Sequence, residues 1–188
     1  MREEIQAAVS VVRDGGVVGL PTDTVYGIGV DPLDEAAVAT LFELKARPTA
    51  KPVGILVASL DQATEIGVIE GLAIDMARLH WPGALTLVVR SRVILADWVG
   101  DRQASTVGIR VPDHPVALEL LEATGPLSVT SANRSGSPDA RDDSEARAIF
   151  GDRVHYVAGA SPGGAPSTVV DVTGVVPVVL RPGPVVVA

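Results

Sequence analysis

The sequence predicts an α/β protein: a single domain over residues 1–188, built as one twisted, open, mixed sheet flanked by helices. Three observations predict it. Short apolar, β-branched runs alternate with stretches of helical period. The last part of the chain is strand-rich, which makes the sheet mixed rather than wholly parallel. The composition, 47 % hydrophobic and 20 % charged, suits a buried core and excludes a disordered chain. A chain of 188 residues can bury such a core without covalent staples.

Taken in order, residues 3–14 carry apolar side chains at helical spacing and stop at Gly15-Gly16. Val17–Leu20 reads as a buried strand, followed by a hydroxyl- and glycine-rich loop, Pro21–Gly29. Asp34 is placed to cap a helix over Glu35–Lys45, which Pro48 terminates. Val53–Ala58 is a strand, and Ser59 with Gln62 fits a capping box for a short helix after it. Leu72–His80 is helical until Trp81-Pro82-Gly83 breaks it. Ala84–Val89 and Thr106–Val111 read as strands, and the stretch 90–105 between them has no clear period. Pro115–Ala123 is a helix, Leu127–Thr130 a strand, and Asp142–Phe150 a helix that Gly151 stops. Thr168–Val172 and Val176–Leu180 form two strands joined through Thr173-Gly174, and Gly159–Pro166 reads as a mobile loop.

Charge and composition narrow the function classes. A formal net charge of -8 argues against a general nucleic-acid binder, whose affinity comes from clustered Lys and Arg on phosphates. It leaves room for a local anion site in a cleft. The chain has no cysteine, which removes disulfides, thiolate metal sites and a cysteine nucleophile. The acidic start, Met1-Arg2-Glu3-Glu4, and the lack of an apolar run of ~18 residues predict a cytoplasmic protein with no membrane span.

Three segments concentrate chemistry. Lys45 and Lys51, the only lysines, bracket Arg47, so two mobile ammoniums and a planar guanidinium share one short stretch after a helix. That stretch suits a polyphosphate, or it is a solvated basic patch favoured by the helix's negative end. Thr130-Ser131-Ala132-Asn133-Arg134-Ser135-Gly136 follows an apolar strand, where hydroxyls, an amide and backbone N–H groups can gather on an anion. Its residues are equally those of an ordinary turn. Arg110 and Arg181 stand among apolar strand residues, each followed closely by proline, so each is either salt-bridged or aimed into a cleft.

Other groups have structural readings. His80 ends a helix, His114 precedes one and His155 sits in a strand. Asp142-Asp143 makes an acidic helix start, and Trp81 and Trp98 read as packing residues. There is no GxxxxGK[ST] loop, HExxH or GxSxG, and Gly27-Ile28-Gly29 lacks the further glycine of a dinucleotide fingerprint.

Seven segments in series resemble the YrdC/TsaC family. They are Pro21–Gly27, Lys45–Pro48, Trp81–Gly83, Val107–Pro112, Ser131–Gly136, Ser167–Asp171 and Leu180–Gly183. Each is weak alone; together they span the chain from Gly15 to Pro184. The resemblance implies a YrdC-like fold and a threonylcarbamoyl-AMP synthase, a nucleotidyltransferase that joins L-threonine, bicarbonate or CO2, and ATP. It implies Thr24, Arg110 and Ser167 around threonine, and Arg47, Lys51, Thr106, Ser131, Asn133 and Arg181 around ATP. Lys45, Arg47 and Arg181 would serve the chemistry, with Mg2+ arriving on ATP and no dedicated protein metal site. The product would pass to a tRNA threonylcarbamoyl transferase complex, with at most a weak tRNA contact here. Three positions depart from the pattern of many relatives: Lys51 for Asn, Leu56 for His and Asp139 for Ser. The competing readings are an RNA-binding module and a different carbamoyl-adenylate-forming carbamoyltransferase.

Overall fold

The computed structural model describes residues 2–46 and 48–187. Helix α1 (Arg2–Arg13) buries Ile5, Ala8, Val9 and Val12, the i, i+3, i+4, i+7 stripe that its sequence predicts. After β1 (Val18–Leu20) and β2 (Gly27–Val30) comes α2 (Glu35–Lys45). Asp34 caps α2, its carboxylate accepting from the N–H groups of Ala36 and Ala37 at 2.9 and 3.0 Å. The helix ends at Ala46, which adopts a left-handed conformation with φ 49°.

The chain continues through β3 (Gly54–Leu56), α3 (Leu60–Ile66), α4 (Leu72–His80), β4 (Leu85–Arg90) and β5 (Thr106–Arg110). It then runs through α5 (Pro115–Thr124), β6 (Leu127–Ser131), α6 (Asp143–Phe150), a 3-10 turn (Gly151–Arg153) and β7 (His155–Tyr156). The hairpin of β8 (Thr168–Asp171) and β9 (Val178–Arg181) completes the order. Among the described residues no helix is long and apolar enough to cross a membrane.

The strands form one mixed sheet in the order β7-β1-β2-β6-β3-β5-β4-β8-β9. Three pairs are parallel (β1 with β7, β3 with β5, β4 with β8) and the other five antiparallel, a mixed sheet as the strand-rich end of the chain predicts. Strand side chains alternate between two faces. On one face Ile28, Val30, Ile55, Leu85, Leu87, Val89, Val107, Ile109 and Val170 pack with residues of α2, α3, α4 and α6. On the other, Val18, Leu20, Leu56 and Leu127 pack with α1 and α5. Those two helices cover only part of their face. The uncovered remainder is where the site lies.

The structure corrects several local expectations. The stretch Pro21–Gly29 runs into β2, whose Gly27 and Gly29 pair with Ser131 and Val129 of β6. A Cβ on either glycine would lie 2.7 Å from a Val129 methyl, so this GxG accommodates a neighbouring side chain rather than a dinucleotide. Ser59 caps α3 at Gln62 N–H as expected, but the Gln62 side chain accepts from Ala58 N–H instead of closing the box on Ser59. The stretch 90–105 holds three buried apolar anchors, Leu95, Ala96 and Val99, and returns to the sheet through Asp101–Thr106 backbone pairing. The loop Gly159–Pro166 is tethered at Ser161, which is buried, takes Arg141 O through its N–H and accepts from Thr22 N–H at 2.9 Å.

Candidate active site

The open part of the second face is a cleft of about 780 Å3, within the range of small-molecule sites. Its floor is laid out in cross-strand rows. The middle row passes through Gly29, Val129 and Gly54, then Gly108, Val88 and Asp171. Its centre has no side chains. A Cβ on Gly54 would lie 2.9 Å from the Gly108 carbonyl oxygen, and one on Gly108 would lie 3.1 Å from the Thr86 methyl. The two glycines therefore let neighbouring backbones approach closely and leave a trough above them. Gly54→Ala is expected to lower stability by roughly 1–3 kcal/mol, because its obstacle is backbone and not a movable side chain. A urea midpoint equal to that of the parent protein would show that β3 and β5 separate freely.

One flank of the trough carries Arg110 at the end of β5, paired in register with Leu56. The Arg110 side chain is only 7 % exposed. Its Nε donates to Gly83 O at 2.9 Å, Nη1 to Thr24 Oγ1 at 3.1 Å and Nη2 to Asp23 Oδ1 at 2.5 Å. Both readings of this arginine hold together: it is salt-bridged, and it lines the cleft. Burial lowers its pKa, and the charge and hydrogen bond of Asp23 oppose that shift, so the guanidinium stays charged. Thr24 is fixed in turn by Thr22, whose hydroxyl lies 3.1 Å from Thr24 Oγ1 and donates to Val25 O.

Further along this flank Thr86 pairs with Val169, and Val169 with Arg181 of β9. Arg181 Nε and Nη2 donate to Ser167 O at 3.1 and 2.8 Å, and Nη2 also reaches Ser167 Oγ at 3.1 Å. Ser167 Oγ lies 2.8 Å from Thr86 Oγ1. Arg181 is crowded by the cleft walls yet still solvent-accessible. Desolvation lowers its pKa, with the charge of Asp139 opposing.

The opposite flank carries Ser131 of β6, paired with Gly27, and Thr106 of β5, paired with Arg90 of β4. All three polar residues line the cleft. Behind Ser131 stands Lys45, 2 % exposed, the last residue of α2. Its ammonium donates to Ser131 O at 2.5 Å, Asn133 O at 2.8 Å and Asn133 Oδ1 at 2.6 Å. Asn133 Oδ1 also accepts from Ser131 Oγ at 2.8 Å, and Asn133 Nδ2 donates to Ser137 O at 2.6 Å. Lys45 and Asn133 thus form a clamp that shapes the turn after β6.

Of the residues singled out from sequence, Thr24, Arg110, Ser167, Thr106, Ser131 and Arg181 converge on the cleft. Lys45 and Asn133 are not among the residues lining it; the geometry places them in support of Ser131. Lys51 is exposed beside Pro52, which is at the cleft wall. Arg47 lies outside the described residues. The site also does not gather at one carboxyl edge of the sheet, because β4 and β5 run antiparallel and share no such edge. Leu56 and Asp139, two of the departures from the family pattern, both line the cleft.

Sequence reasoning passed over Asp23, Thr22 and Thr86. Thr86 had a signal: in Leu85-Thr86-Leu87-Val88-Val89 it alternates with buried leucines and so faces away from the core. Asp142 and Asp143 are a helix start as expected, Asp142 accepting from Glu145 N–H at 2.8 Å. Trp81 packs against the core and donates to Leu85 O, and Trp98 lies against Phe42 with centroids 5.0 Å apart. His114 and His155 each keep one buried ring nitrogen without a partner, Nδ1 and Nε2 respectively, and neither lines this cleft.

A Mycobacterium tuberculosis protein is 47 % identical over 190 residues, 96 % of this chain and 84 % of that protein. The protein named Threonylcarbamoyl-AMP synthase in Pseudomonas aeruginosa is 40 % identical over 175 residues, 90 % of this chain and 93 % of its own. The solved structure of Pyrococcus abyssi Sua5 complexed with L-threonine superposes with a TM-score of 0.84 at 36 % identity. That match covers 95 % of this chain but 54 % of the other, so this chain spans about half the length of that protein. The family described as Telomere recombination, Sua5/YciO/YrdC, matches residues 10–183. This range takes in every strand and both flanks of the trough, and the chain belongs to the Sua5/YciO/YrdC family.

Proposed function

We propose that this protein is a threonylcarbamoyl-AMP synthase, which makes threonylcarbamoyl-AMP and pyrophosphate from L-threonine, bicarbonate or CO2, and ATP. The observation that carries the reading is the glycine trough with different polar sets on its two flanks. Arg110, Thr24 and Ser167 suit a small amino acid with a carboxylate and a hydroxyl. Ser131 and Thr106 suit the nucleotide, with Arg181 at the β9 edge. The 40 % identical Pseudomonas aeruginosa synthase and the L-threonine complex of Pyrococcus abyssi Sua5 support this assignment.

In this reading the threonine amine takes up CO2, forming an N–C bond and losing a proton, to give a carbamate. A carbamate oxygen then attacks the α-phosphorus of ATP. The bond from the α-phosphorus to the bridging oxygen breaks, and its electron pair leaves with pyrophosphate. No protein nucleophile takes part. The residues act by holding the two substrates in line and by placing positive charge near the transferring group. Mg2+ enters as part of the ATP substrate; a cation that keeps its waters and takes one or two carboxylates suits a cleft lined by Asp139 and Asp171. We assign the reaction to the cytoplasm, with the adenylate handed to a tRNA threonylcarbamoyl transferase complex and any direct tRNA contact weak.

The test is pyrophosphate release from Mg-ATP with and without L-threonine and bicarbonate, with L-serine for comparison. Release that needs both co-substrates is the expected result. Folded, ATP-binding protein that releases no pyrophosphate on addition of threonine would sink the proposal.

A further inference from the structure

We infer that Arg90 is a further nucleotide-binding residue, which contacts the β,γ-phosphates of ATP and the departing pyrophosphate. The inference rests on the synthase reading above and adds a residue to its nucleotide side. Four observations converge on it. Arg90 ends β4 at the position predicted by alternation: Leu85, Leu87 and Val89 are buried in the core, while Thr86, Val88 and Arg90 line the cleft. Its cross-strand partner is Thr106, so it belongs to the same flank of the trough as Ser131.

Its charge is also unspent. Arg110 is neutralised by Asp23, whereas among the described residues the Arg90 side chain has no ion pair or hydrogen bond. Two of the carboxylates that line the same cleft make other contacts instead. Asp101 Oδ1 accepts from Gln103 and Ala104 N–H groups, and Asp171 Oδ1 from the Thr173 N–H and hydroxyl. A chain with a net charge of -8 has placed an exposed, uncommitted guanidinium on the floor of a cleft. Its side chain holds nothing else together, so the fold gives no structural reason for it. A guanidinium on the floor of a concave site favours a phosphate, which it can meet with two parallel N–H groups. The polyanionic end of ATP is the phosphate-bearing ligand of this cleft.

Direct binding tests Arg90 independently of catalysis. Mg-ATP, AMP and inorganic pyrophosphate would be titrated into the wild type, Arg90→Ala and Arg90→Lys, with steady-state KM values for ATP and threonine measured alongside. The expected result is roughly tenfold weaker ATP and pyrophosphate binding in Arg90→Ala, a loss of one charge-assisted contact. AMP affinity and the threonine KM should stay within about twofold, and Arg90→Lys should recover part of the loss. Equal losses for AMP and ATP would overturn the phosphate assignment in favour of a contact with base or ribose. Unchanged ATP and pyrophosphate binding would overturn the inference outright. If the wild type binds ATP but releases no threonine-dependent pyrophosphate, the synthase reading fails while the binding comparison still decides Arg90.

Discussion

Arg110→Ala is expected to raise the KM for L-threonine about 100-fold while moving the KM for ATP by no more than about threefold. A 100-fold change is about 2.7 kcal/mol, just below the low end of what two charge-assisted hydrogen bonds to a carboxylate supply at about 1.5–3 kcal/mol each, because the guanidinium is already shared with Asp23. The asymmetry follows from position: Arg110 is on the Thr24 flank, and Ser131 and Thr106 face it across the glycine trough. The substitution also leaves Asp23, only 16 % exposed, without its cation and Gly83 O without its donor. Stability should therefore fall by about 3–5 kcal/mol, the range for breaking a buried pair. Arg110→Lys separates the two effects. A single ammonium can stay near Asp23 and recover much of the stability, but it lacks the fork that serves Gly83, Thr24 and Asp23 at once. Threonine affinity should stay poor. Steady-state kinetics at fixed saturating ATP, together with urea unfolding of both variants, give the answer. Equal changes in both KM values would make Arg110 a purely structural residue and would move the amino-acid site elsewhere.

Much of this architecture can be read from the chain because it rests on short-range rules. Asp34 before an apolar-periodic run predicts the start of α2, and the alternation of Leu85, Leu87 and Val89 fixes which side of β4 faces the core. What could not be read is pairing. The sequence does not reveal that Gly27 and Gly29 flank Val129, because the reason for those glycines is a side chain a hundred residues away. The same holds for the cleft. Arg110 and Arg181 carry a visible signal, charge within an apolar strand, but Asp23 looks like a loop residue until β5 is folded against it. Arg90 is obscured by the opposite problem. It falls at the start of the aperiodic stretch 90–105, and only its register with Thr106 puts it on the Ser131 flank. The basic segment mixed two roles that sequence cannot separate: Lys45 is turned inward as a clamp, while Lys51, six residues on, is exposed.

Lys45→Met is expected to cost about 3–5 kcal/mol of stability and to reduce turnover at least 100-fold, although Lys45 does not line the cleft. Methionine approximates the length of the side chain and keeps its packing, so the change isolates the ammonium. Its removal leaves Ser131 O, Asn133 O and Asn133 Oδ1 without a common donor at a site where Lys45 is 2 % exposed. Ser131 O keeps the Asn133 N–H and Asn133 Oδ1 keeps the Ser131 hydroxyl, so the loss is of three charge-assisted hydrogen bonds at about 1.5–3 kcal/mol each, which partial relaxation of the turn brings down to the expected range. A loss of that size is a large fraction of the roughly 5–15 kcal/mol that holds a domain folded. The activity should fall for a positional reason. Ser131 reaches the cleft from the last residue of β6, and its hydroxyl is oriented by the same Asn133 oxygen that Lys45 holds. Once the clamp opens, the Ser131 hydroxyl loses its fixed aim into the cleft. Urea unfolding and kinetics on the same preparation distinguish this from direct participation in chemistry. A lowered midpoint with a raised ATP KM supports the clamp. An unchanged midpoint with lost turnover would mean that the ammonium itself acts on the reacting phosphate, and that the loop after β6 opens to admit it.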